Sequence, residues 1–106
     1  MVLKVEDPTS VVEGLCRVSL GDDLTIYAIE TLKKELSTLI ESNTQLELNL
    51  KNVEEIDSAG IQLLLGLQRE AQRLNISIKL TALSAPVTKL VKMYCIADSL
   101  DIGEAL

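Results

Sequence analysis

A single α/β domain, with a mixed, mostly parallel sheet of four to five strands, is the fold class that this chain predicts. Three observations carry it. Short segments with apolar residues at every second position alternate with longer segments of helical apolar spacing; period two marks a half-buried strand and period 3.6 an amphipathic helix. Their order, strands first and then helix, strand, helix, strand, helix, places helices between successive strands, as parallel crossover units require. At 106 residues the chain is near the commonest domain size and can bury one core, so residues 1–106 are read as one domain.

Taken in order, Leu3 and Val5 alternate with Lys4, Pro8 interrupts, and Cys16, Val18 and Leu20 alternate with Arg17 and Ser19. Two strands are expected here, with an edge or loop around Pro8. Gly21-Asp22-Asp23 is a turn signal. A helix should follow, because Ile29, Leu32, Leu36, Leu39 and Ile40 keep helical spacing while Lys33, Lys34, Glu35 and Glu41 face away. The stretch Leu24–Ile29 also fits a strand. Leu46, Leu48 and Leu50 alternate with Glu47, Asn49 and Lys51 as a clear strand. A second helix runs from Ser58 to about Leu74, and Ile76, Ile78 and Leu80 form the next strand. Ser84 can cap a third helix with Pro86 in its first turn. Val87, Leu90, Val91, Tyr94 and Cys95 would be its apolar stripe. Ile102 and Leu106 could complete the core.

Composition narrows the function. The chain is 47% hydrophobic and 25% charged, which is globular rather than disordered. Phe and Trp are absent and the only aromatics are Tyr27 and Tyr94, so the core must be aliphatic. No apolar run approaches the roughly 20 residues that span a bilayer, and no export signal is visible, so a cytoplasmic protein is expected. A net charge of −6 with scattered Lys and Arg argues against nucleic acid and against an anionic membrane surface. With no His, Ser-His-Asp and Cys-His catalysis, imidazole metal sites and histidyl phosphotransfer are excluded. Cys16 and Cys95 sit among apolar residues and read as reduced, buried thiols, with a disulfide or redox role as the lesser alternative. No metal or organic cofactor is implied.

The most informative stretch is Ile56-Asp57-Ser58-Ala59-Gly60-Ile61-Gln62-Leu63-Leu64, an acidic–hydroxyl–small–Gly turn between a strand and a helix. It presents the Ser58 hydroxyl at a helix N-terminus, where negative charge is favoured. Such a serine is a helix cap, a nucleophile or a phosphate acceptor. Asp57 or Ser58 can cap; a nucleophile elbow needs Gly where Ile56 stands, and no His is present to act as base. The helix itself is unusually apolar. Ile61, Leu63, Leu64, Leu65, Leu67, Ala71 and Leu74 cover an arc of roughly 200°, about twice what one sheet face needs. Either neighbouring helices cover the flanks at Ile61, Leu65 and Leu63, or part of this surface is an exposed docking patch rimmed by Gln62, Arg69 and Gln72.

From about Gly14 to Leu106 the sequence resembles a STAS domain, the module of bacterial anti-sigma factor antagonists. The resemblance rests on the Leu46–Leu50 strand, Val53, the Ile56–Gly60 motif with its Ile-x-Leu-Leu-Leu continuation, the Gly21–Leu24 segment and the Pro86–Tyr94 helix. It implies that Ser58 is phosphorylated by a serine kinase that is also an anti-sigma factor, and that a phosphatase reverses this. The position after the serine, often Ser or Thr in the family, is Ala59, which leaves Ser58 as the one local hydroxyl. Partner binding is expected of Asp57, Ser58, Ala59, Gly60, Ile61, Gln62 and Leu65, with phosphate held at the helix N-terminus and no change of shape. The domain is expected to be no enzyme, and a monomer or weak homodimer. The rival reading is a constitutive STAS subunit of a larger complex, such as an inner-membrane lipid transporter. Nucleotide binding is a third, and no P-loop supports it.

Overall fold

The alternation of Leu46, Leu48 and Leu50 with Glu47, Asn49 and Lys51 dictates one strand with an apolar face and a polar face. That strand, β3 (Gln45–Ile56), is central to the fold. A computed structural model of the chain describes residues 3–6 and 15–103. It contains a four-stranded sheet in the order β1-β2-β3-β4, with β1 spanning Leu3–Glu6, β2 Leu15–Leu24 and β4 Ser77–Thr81. β1 and β2 are antiparallel, whereas β2 with β3 and β3 with β4 are parallel. Helices α1 (Ile29–Ser42) and α2 (Ser58–Leu74) make the two crossovers, and α3 (Ala85–Met93) follows β4. Ile102 bridges Leu80 in parallel, an incipient fifth strand at the β4 edge. The mixed, mostly parallel sheet is thus as expected; Pro8 and Leu106 lie outside the described residues.

One contiguous core joins the inner sheet face to all three helices. Val18 and Leu20 of β2, Leu46, Leu48 and Leu50 of β3, and Ile78 and Leu80 of β4 meet Leu32, Leu36 and Ile40 of α1, Leu64 and Leu67 of α2, and Val87 and Val91 of α3. No aromatic enters it. The opposite sheet face is polar: Arg17, Glu47 and Lys79 lie in register across three strands, and Arg17 pairs with Glu47 at 3.1 Å. A buried polar contact ties α2 to the sheet, where the Gln68 Nε2 donates to the Ile78 carbonyl at 3.0 Å. Such a bond satisfies both groups inside the core.

Three details differ from the sequence expectation. Gly21-Asp22-Asp23 does not end the strand. β2 continues to Leu24 with register slips against β3 on either side of Gly21 and Asp22, the behaviour of a bulged strand. The turn lies instead at residues 25–28, so the strand reading holds for Leu24 and the helical one for Ile29. The α3 stripe stops at Val91. Met93 is the last helical residue, and Cys95 takes the left-handed conformation (φ 55°) beyond it, so Tyr94 and Cys95 are exposed and not core. Ser84 precedes α3 without a side-chain capping bond. Cys16 is half-buried rather than buried, and that burial pushes its thiol up from the ordinary pKa.

The aliphatic core predicts its own sensitivity. Leu48, fully buried at the centre of β3, should lose about 2–5 kcal/mol on Leu48→Ala by leaving a cavity, measurable as a lower urea midpoint with an unchanged slope.

Candidate functional site

β2 and β3 run parallel and end together, Leu24 opposite Ile56. The chain segments that leave them, residues 25–28 and the start of α2, therefore emerge side by side at the carboxyl end of the sheet. Open α/β sheets place their binding sites at such ends.

Asp57 organises this end. Its backbone is extended (φ −123°, ψ −171°), the geometry of an N-cap. Its Oδ1 accepts from the Ala59 N–H at 2.9 Å and the Gly60 N–H at 3.2 Å, and its Oδ2 accepts from the Ile26 N–H at 3.1 Å. One carboxylate thus caps α2 and ties the neighbouring loop to it. The Asp57 N–H donates to the Leu24 carbonyl at 3.4 Å, and the Asp57 carbonyl accepts from the Ile61 N–H at 3.1 Å. In the loop, Asp23 Oδ1 accepts from the Thr25 N–H at 2.8 Å, closing a tight side-chain turn before α1.

Gly60 is required by space. A Cβ there would lie 2.1 Å from the Leu24 carbonyl oxygen and 2.8 Å from Ile56 Cγ1. The first turn of α2 is thereby pressed onto the end of β2, closer than any side chain allows.

Ser58 has no part in this framework. It is the first residue of α2, exposed, and its hydroxyl makes no hydrogen bond among the described residues. Of the two capping candidates, Asp57 is the cap. At the start of α2 Asp57 already occupies the amides of Ala59, Gly60 and Ile61, which leaves an anion there that of Ser58.

The residues expected to meet a partner divide by exposure. Ser58 and Gln62 are exposed; Asp57, Ala59 and Leu65 are half-buried. Gly60 is buried and Ile61 is 3% exposed, so neither offers side-chain surface in this conformation. Neighbouring elements cover the Ile61 and Leu63 flanks, and the exposed patch drawn through Ile61 is not there. Apolar surface lies instead on the neighbouring loop, where Ile26 is 63% and Tyr27 93% exposed. Sequence reasoning assigned Ile26 and Tyr27 no role. The signal was Tyr27 itself, one of only two aromatics, in a segment whose apolar residues fit neither face of the following helix. Among the described residues there is no cluster of three potential metal ligands, and no helix long and apolar enough to cross a membrane.

This architecture, a mixed sheet with an Asp-Ser-x-Gly turn opening the helix after its central strand, defines a STAS-type domain. A family model described as "Mlab, STAS domain" matches residues 12–102, and the chain belongs to this family. It is 27% identical over 91 residues to the anti-sigma-B factor antagonist of Bacillus subtilis (strain 168), a match covering 86% of this chain and 84% of that protein. Among solved structures it is similar to the anti-sigma factor antagonist SpoIIAA in its unphosphorylated form, with a TM-score of 0.74, 22% identity, and coverage of 96% of this chain and 88% of that one. The phosphorylated form of the Bacillus cell fate determinant SpoIIAA matches with a TM-score of 0.70 and 21% identity, covering 96% and 91%. The fold is that of the anti-sigma factor antagonists.

Three neighbouring positions of this turn should differ in their effect on stability. Gly60→Ala should cost about 3 kcal/mol, since backbone must move to admit the methyl group, and Asp57→Ala about 1–2 kcal/mol through the lost cap. Ser58→Ala should stay within about 0.5 kcal/mol of the parent. Thermal unfolding of the three variants side by side measures this order.

Proposed function

We propose that the domain is a cytoplasmic, phosphorylation-switched interaction module and not an enzyme. It binds a serine kinase that acts as an anti-sigma factor, accepts a phosphate on Ser58 from it, and is reset by a phosphatase. The observation that carries this reading is the Ser58 hydroxyl: exposed, free of hydrogen bonds among the described residues, and held at the first position of α2 by a turn whose cap is Asp57 and whose packing contact is Gly60. The anti-sigma factor antagonist relative supports the kind of partner.

The physical route to a switch is short. In the unmodified state, Ile26 and Tyr27 offer apolar contact on the loop bonded to Asp57, and Gln62 offers hydrogen bonds one turn past Ser58. Phosphorylation adds about −1.5 to −2 charge. Asp57 stands next to it and already holds the nearby amides, so the helix terminus cannot neutralise the phosphate without giving up its cap. The added charge stays hydrated, and an apolar partner surface closing over it must strip that water. A penalty of about 2.7 kcal/mol is enough for a 100-fold loss of affinity.

The test is mass spectrometry of the protein purified from its own cells under changing growth conditions. One phosphate on Ser58, absent from Ser58→Ala, is expected, with partner binding kept by Ser58→Ala and lost by Ser58→Glu. A chain that stays unmodified in every condition, with Ser58→Ala indistinguishable from the parent in the cell, would instead mark a constitutive subunit of a larger complex.

A further inference from the structure

The outer surfaces of α1 and α2 leave a groove between them of about 860 Å³. Its floor is apolar, with Ile40, Leu63 and Leu67 beneath it. On the α2 wall it passes a residue with no side chain at all: a Cβ on Gly66 would meet nothing within 4 Å. A glycine inside a helix lowers stability by about 1 kcal/mol relative to Ala, and here no steric contact requires it.

The walls are not neutral. Lys33 of α1 and Arg69 of α2 both line the groove, are exposed, and make no ion pair among the described residues. Arg73, further along, is already paired with Glu70. Glu41, at the far end of α1, is the lining's one carboxylate outside that pair, so three cations stand against two acids; in a chain of net charge −6, Lys33 and Arg69 on facing helices are a local complement for acidic side chains.

We infer that this groove is the docking site for an acidic, amphipathic α-helix of the partner protein. The inference rests on the proposed function for the partner, though not on the phosphorylation step. Length and continuity agree with it. From Ile29 to Glu41 the α1 wall rises about 18 Å at 1.5 Å per residue, room for roughly three turns of a bound helix. The groove begins at Ile29 and Gln62, directly beyond the exposed loop and one turn past Ser58, so one partner can cover both. The chemistry selects a helix over an extended peptide. Two helices form the walls, with their backbone groups already bonded internally, so no edge is available to pair with an extended segment. A segment that satisfies its own N–H and C=O groups avoids that penalty. Cations on both walls match a helix with Asp or Glu on both flanks of an apolar stripe, the i, i+3, i+4, i+7 mode of helix-in-groove recognition.

The test places a benzophenone photo-crosslinking side chain at position 37, on the α1 wall opposite Gly66, in the otherwise unaltered protein, in its own cells, and sequences the adduct by mass spectrometry. Ser37 is exposed, so the variant folds and leaves the groove open. An adduct on one protein segment with helical apolar spacing and flanking acidic residues is expected. Its yield should fall at least tenfold when Lys33→Glu and Arg69→Glu are added. A lipid adduct, an adduct on a second copy of this chain, an adduct indifferent to the charge reversal, or no adduct at all overturns the inference. Ser58 phosphorylation, measured on the unsubstituted protein from the same cells, separates the two readings. Phosphate without the adduct removes the groove and leaves the switch; the adduct without phosphate does the reverse. Gly66→Trp, which fills the groove, should cut the yield of the adduct at least tenfold with no fall in the unfolding temperature.

Discussion

The close approach of α2 to the end of β2 is the constraint on which the rest of the site depends. Without a side chain at Gly60, the first turn of the helix rests against the Leu24 carbonyl. That contact brings Asp57 within reach of its own helix and of the Ile26 N–H on the adjoining loop. Three donors converge on one carboxylate, a concentration of charge-assisted bonds that fixes both segments. Ser58, between the acid and the glycine, is left with no structural task.

This division of labour suits a switch. A residue that caps a helix or fills a core cannot be modified without loss of stability, and the fold would then report on its own damage. Here the cap is Asp57, the packing contact is Gly60, and the core lies beneath in Leu24, Ile61 and Leu64. Under the proposed function, a phosphate on Ser58 would act through charge and hydration on whatever meets the surface, since neither the cap nor the core uses that hydroxyl.

The surface around that serine has two kinds of chemistry. Toward β2 it is apolar, in Ile26 and Tyr27. Along the α1–α2 groove it is apolar in the floor, with Lys33 and Arg69 facing each other across it and Glu41 at its far end. A partner covering both would take its affinity from the buried apolar contacts and its orientation from the charges, the usual partition at protein interfaces. The polar outer face of the sheet, with Arg17 and Glu47 already paired, offers no comparable apolar floor.

The sequence by itself determined the sheet, the order of elements and the motif. Period-two alternation in Leu46–Leu50 and Ile76–Leu80, and the run from Ser58 to Leu74 closed by the left-handed Asn75, are local properties of the chain. They survive folding because burial acts on the same periodicity. The strand through Gly21–Asp23 was misjudged because a bulge and a turn use the same residues, and only pairing with β3 distinguishes them. Tyr94 and Cys95 keep helical spacing, yet the helix ends before them; spacing does not tell where a helix stops. Which flank of α2 is covered and how Asp57 shares its carboxylate with the Ile26 N–H depend on residues about 30 positions apart. Such contacts exist only once parallel strands have brought the two loops together, and tertiary structure alone decided them.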